Sequence, residues 1–158
     1  RILKINPYTL IFVEGVANAS DNGGYGTFWG ENLVEAARVV PNIPRKKLVY
    51  SPHVYGPSVF WMDYFSHGSF PYNMEAIWEK HFGHLANADF TVVFGEFGGR
   101  YTGADKVWQD AWVAYMKQKG FKNYFYWSLN PNSGDTGGIL YDDWRTPNQA
   151  KVDLLRSI

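Results

Sequence analysis

Thr91-Val92-Val93-Phe94-Gly95-Glu96-Phe97-Gly98-Gly99 is the stretch whose reading decides the fold. An unbroken run of apolar and β-branched residues leads into one carboxylate set among glycines. A run without alternation is how a strand buried on both faces of a parallel sheet reads. The glycines mark where the strand stops and the backbone turns. Glu96 is therefore expected at the carboxyl end of a buried strand, where α/β folds keep their chemistry. Taken alone, the same glutamate serves equally well as a helix cap or an arginine partner, since a buried glutamate needs one.

Working outward, the residues before this strand place Met74, Ile77, Trp78, His81 and Leu85 at i, i+3, i+4, i+7 and i+11, an amphipathic helix with one stripe for a sheet. After it, residues 104–119 predict a second helix with Trp108, Ala111, Trp112 and Tyr115 on one face and Gly120 as its stop. Residues 47–55 read as a further strand, followed by a long aromatic loop over residues 56–72. Residues 123–129 read as another, followed by a loop over residues 130–138. Thr146-Pro147 is expected to open the last helix as N-cap and first-turn proline, with Val152 and Leu155 as its apolar side. At the amino end, residues 1–7 read as a helix tail, residues 10–15 as the first strand and residues 17–26 as a loop rich in Gly, Asn and Ser. A helix over residues 31–39 follows, ended by Pro41 and Pro44.

Strand then helix recurs four times, the order of repeated βα units, with no sequence repeat and no linker. Four units are half of a closed (β/α)8 barrel, whose usual size is about 250 residues. The 158 residues are too few for the whole, so the expected fold is α/β, half of a TIM barrel, one partial catalytic domain over residues 1–158. The chain opens on Arg1 rather than Met and reads as cropped or processed. A doubly wound nucleotide fold is the architectural alternative, but no Gly-rich phosphate turn follows the first strand.

Lys+Arg and Asp+Glu number 15 each and no like-charge run occurs, so the clustered basic charge that nucleic acids and anionic membranes demand is missing. No cysteine is present for a disulfide or a thiolate metal site, and no His/Asp cluster has metal-ligand spacing. No segment reads as a membrane span or a signal peptide. Gly95, Gly98 and Gly99 precede no Lys-Ser or Lys-Thr and are not a phosphate cradle. The aromatic content is 18%, with seven Trp and eleven Tyr, which suits cores, interfaces and sugar platforms alike.

Each strand ends on a chemically useful residue: Glu14, His53 with Tyr55, Glu96, and Trp127. Singly, such a histidine or tryptophan is more often a core residue. Together they resemble the second half of glycoside hydrolase family 5, the retaining β-glycanases that include bacterial endo-β-1,4-glucanases. The resemblance rests on Phe12-Val13-Glu14-Gly15, His53-Val54-Tyr55, Gly95-Glu96-Phe97-Gly98 and Tyr126-Trp127-Ser128, in that order. It implies barrel strands five to eight, with Glu96 as catalytic nucleophile and Tyr55 hydrogen-bonded to it. It further implies that His53 lines the cleaved-sugar subsite, that Trp127 is the platform beneath that sugar, that no cofactor is needed and that the protein is secreted. The run Asn130-Pro131-Asn132-Ser133-Gly134-Asp135-Thr136-Gly137-Gly138-Ile139-Leu140 is similar to the cellulase branch, which implies β-1,4-glucan as substrate. Trp61, Tyr64 and Trp144 are further loop aromatics that plug helices onto sheets as readily as they extend a cleft.

Retaining hydrolysis needs a second carboxyl group about 5 Å from the nucleophile to protonate the leaving oxygen. The family carries it in an Asn-Glu-Pro motif on the fourth strand, and no Asn-Glu-Pro occurs here. Loss of that proton donor removes a term of about 10²–10⁴-fold. A half-barrel also exposes two strand edges and one apolar face. Closure is expected through the missing amino-terminal half or through a second copy, giving a homodimer or larger assembly. In such a dimer Glu14 is expected near a Glu96, toward the substrate and as a substitute acid. The competing expectation is a half-barrel that binds β-glucan without cutting it, or only self-assembles.

Overall fold

The computed structural model describes residues 1–17 and 26–158. The Gly/Asn/Ser loop expected over residues 17–26 lies, apart from its two ends, outside the described residues. The described strands are β1 (Ile11–Val13), β2 (Leu48–Tyr50), β3 (His53–Tyr55), β4 (Phe94–Gly98) and β5 (Tyr124–Tyr126). The helices are α1 (Ile2–Ile5), α2 (Met74–Trp78), α3 (His84–Asn87), α4 (Gly103–Lys119) and α5 (Gln149–Arg156). A π turn over Glu79–Gly83 joins α2 to α3, so the amphipathic helix runs on as expected.

All ladders are parallel: β1 with β2, then β3 with β4 and β4 with β5. Tyr50 stitches the two sheets together, accepting from the Val93 amide and donating its own amide to Thr91 O, each at 2.9 Å. Strand order therefore follows chain order, as in successive βα units. Among the described residues no ladder joins β1 to β5, and the sheet is open.

Four local expectations are corrected. Residues 47–55 are not one strand: Lys47 ends a 3-10 turn, and β2 and β3 are separated at Ser51-Pro52, where proline has no amide for a ladder. The strand carrying Glu96 is displaced toward its glycines, so Glu96 lies inside β4 and Val92 contributes one isolated bridge to Tyr50. Residues 31–39 form turns rather than a helix. The Asn32 side chain accepts from the Val34 amide at 3.3 Å, which competes with helical bonding in a segment too short to sustain a helix between β-branched residues. The last helix starts at Gln149 with Asn148 as its cap, because Thr146 is held by Asp143 and Pro147 bridges Leu140.

The core lies between the sheet and the helices. Tyr50, Val54, Phe94 and Phe97 from the strands share one cluster with Trp78, Phe82 and Leu85 and with Trp108, Trp112 and Met116 of α4. Trp112 is the hub, its ring 4.7 Å from Phe94, 5.0 Å from Trp78 and 5.8 Å from Phe82, all in edge-to-face contact. Such edge-to-face pairs add about 0.5–1.5 kcal/mol each beyond burial. Gly120 stops α4 in the left-handed region at φ 73°, as its position suggested. The opposite sheet face is uncovered at its two edges: Phe12 is 48% and Phe125 61% exposed.

Candidate active site

The site is built from β3, β4 and the segments leaving β1 and β5. His53 sits directly beside Glu96 in the β3–β4 register. Phe94 pairs with Tyr124 and Phe97 with Tyr126, so β4 carries one residue more than β5 over this interval. Both phenylalanines are buried in the helix-side core. The bulge thus leaves the Glu96 side chain free to leave the core face, the usual use of an extra strand residue. Gly95 permits the close approach, since a Cβ there would lie 2.6 Å from both His53 Nε2 and Ser51 Oγ.

Tyr55 donates its hydroxyl proton to Glu96 Oε2. His53 Nδ1 stands 3.4 Å from the same oxygen and 3.3 Å from Glu14 Oε1, aligned as a hydrogen-bond donor to neither. One imidazole nitrogen therefore stands between two carboxylates, which brings Glu14 and Glu96 together within a single chain. Burial pushes the Tyr55 hydroxyl far above its ordinary pKa, and the Glu96 bond and the charges of Glu96 and Asp135 add to the shift. Tyr55 stays a proton donor at any physiological pH.

Trp127 leaves β5 with its amide donating to Phe97 O at 2.9 Å and its indole 45% exposed. The indole nitrogen donates to Ser133 Oγ at 3.3 Å, and Ser133 Oγ donates to Asp135 Oδ1 at 2.8 Å. Trp127, Tyr55 and Glu96 line a cavity of about 340 Å³ whose other walls include Phe28, Trp29 and Asp135. Buried Glu31 holds the Phe28 wall, accepting from the Phe28 amide at 3.0 Å and from the Tyr64 hydroxyl at 3.4 Å. Sequence reasoning missed Phe28, Trp29 and Glu31, which lie in a turn with no periodicity. Ser133 and Asp135 lie in the loop singled out from the sequence, where their side-chain roles were unread. Trp61 and Tyr64 line a second, larger cavity of about 710 Å³, and Trp144 lines neither. Among the described residues no group of three or more His, Asp and Glu side chains is placed to hold a metal ion.

A bulged parallel strand thus presents a hydrogen-bonded glutamate beside an exposed tryptophan, and comparison with known proteins identifies the class. The fold superposes on the catalytic domain of the major endoglucanase from Xanthomonas campestris pv. campestris with a TM-score of 0.90 at 50% identity, over 99% of this chain and 46% of that one. It superposes on a variant endocellulase from Pyrococcus horikoshii, solved with cellotetraose, with a TM-score of 0.92 at 46% identity, over 98% of this chain and 44% of that one. In sequence the chain is 50% identical to the major extracellular endoglucanase of Xanthomonas campestris pv. campestris and 44% identical to an endoglucanase of Paenibacillus polymyxa. Those matches cover 99% of this chain but 33% and 41% of the respective relatives, so the chain spans well under half of either. The cellulase family, glycosyl hydrolase family 5, matches residues 1–133, and the chain belongs to that family.

Proposed function

We propose that residues 1–158 are a partial catalytic domain, the second half of a (β/α)8 barrel, and form the nucleophile-bearing side of a secreted retaining endo-β-1,4-glucanase. The observation that carries the reading is Glu96 held by Tyr55, flanked by His53, and lining with Trp127 one cavity. Glu96 attacks the anomeric carbon as the bond to the leaving oxygen breaks, forming a glycosyl ester. Tyr55 fixes the carboxylate for that attack, and His53 lines the cleaved-sugar subsite. Trp127 offers an indole face to the sugar's axial C–H groups, and Glu14 reaches the substrate from the far side of His53. Extracellular location and cellotetraose binding, which belong by name to the relatives above, support the choice of secreted β-1,4-glucan chemistry for this chain. The proton donor for the leaving group comes from the rest of the barrel, whose closure also covers Phe12 and Phe125 at the sheet edges.

The test removes the need for that missing acid. A 2,4-dinitrophenyl 2-deoxy-2-fluoro-β-cellobioside expels a stable phenolate without protonation, so the nucleophile alone suffices for the first step. The expected result is a fluorocellobiosyl ester on Glu96, located by peptide mass spectrometry and absent from Glu96→Gln. A label on Glu14, or none in a chain that binds cellotetraose, refutes the assignment. The native mass of the same sample separates closure by a second copy from closure by the missing half.

A further inference from the structure

Lys151 is a lysine that the chemistry above does not use, and it is 2% exposed. It lies in the first turn of α5, and its ammonium donates to Thr136 O and Gly138 O, each at 3.0 Å. Lysine is almost never buried without partners, because an ammonium taken from water must be repaid by oriented acceptors. Arg100, four residues past Glu96, works on the same loop from the other side. Its Nε donates to Asp135 O at 3.1 Å and its Nη2 donates to Gly134 O. Two cations thereby hold the carbonyls of residues 134, 135, 136 and 138. Between them the loop passes through Gly137 at φ 58°, where a Cβ would stand 3.7 Å from the arginine and 4.0 Å from the lysine.

We propose that Lys151 and Arg100 are positioning residues, a cationic clamp that fixes the loop of residues 133–138 and through it the Trp127 indole. The mechanical path is short. The clamped loop presents Ser133, which receives the indole N–H and is itself fixed by Asp135 and by the Thr136 hydroxyl at 2.8 Å. Without the clamp, the indole keeps its backbone anchor but loses the partner that sets its plane. The proposal rests on the reading of Trp127 as a sugar platform. Burial pulls the Lys151 ammonium down to about 8, with Asp105 opposing the shift and Arg100 adding to it, as expected of a cation committed to carbonyls rather than to a carboxylate.

The experiment records the indole N–H resonances of the ¹⁵N-labelled chain, with Trp127 identified by its loss in Trp127→Phe, and titrates cellotetraose. Lys151→Met and Arg100→Gln are each expected to shift the Trp127 resonance and to weaken cellotetraose roughly tenfold, the effect of losing charge-assisted bonds. The Trp78 and Trp112 resonances, in the core, are expected to stay in place. A folded variant with an unmoved Trp127 resonance and unchanged affinity overturns the proposal. If Lys151→Met does not fold, Arg100→Gln, at an exposed position, decides the same point. A wild-type chain that binds no cellotetraose refutes the sugar-facing step together with the functional reading beneath it, and the indole resonance still decides the clamp.

Discussion

Trp112→Ala tests whether the aromatic core is what holds Glu96 in place. Trp112 is fully buried and touches Phe94 and Phe97, the two residues that bracket Gly95-Glu96 in β4. Truncating a buried tryptophan costs about 3–5 kcal/mol. That is a large share of the ~5–15 kcal/mol available to a domain. With a urea m-value of about 2 kcal/mol/M, the midpoint falls by about 2 M. Trp112→Phe separates packing from polarity. The Trp112 indole N–H is buried without an acceptor among the described residues, and such a donor costs about 1–3 kcal/mol. Removing it offsets much of the lost contact, so Trp112→Phe is expected to cost under ~1.5 kcal/mol. Urea unfolding followed by far-UV circular dichroism measures both variants. The reasoning fails if Ala and Phe cost the same, or if Ala costs less than about 1.5 kcal/mol.

Three further outcomes are expected. Gly98→Ala places a Cβ on the Trp127 carbonyl oxygen, a backbone atom that cannot swing aside, so stability falls by about 1–3 kcal/mol and cellotetraose binding weakens; unchanged unfolding and affinity would show that β4 and Trp127 are less tightly packed than their geometry indicates. Trp127→Ala is expected to weaken cellotetraose roughly tenfold or more by calorimetry while the urea midpoint stays within error, since the indole is half-exposed. Between pH 8 and 9.5 native Lys151 loses its proton while the unfolded chain keeps it, so wild-type stability rises with pH relative to Lys151→Met, by at most about 1.4 kcal/mol per pH unit. A difference that stays flat over that range means the lysine keeps its ordinary proton affinity.

The sequence by itself determined the α/β class, the parallel order of the strands and the two large amphipathic helices. These follow from local period and composition: uninterrupted β-branched runs make strands buried on both faces, and spacings of three and four residues make one-sided helices. It also pointed to His53, Tyr55, Glu96, Trp127 and Glu14, because each lies in or just after a strand on a residue type suited to chemistry. Only the tertiary structure decided how they meet. The extra residue in β4 that turns Glu96 off the core face depends on pairing with β5, and the break between β2 and β3 depends on which neighbour each half pairs with. The meeting of Glu14 with Glu96 at one histidine nitrogen joins residues 82 positions apart. Lys151 reads in sequence as a solvated helix lysine, and its burial against loop carbonyls follows from where α5 docks. Local pattern fixes what a segment can become. Which polar groups are left facing one another is set by non-local packing.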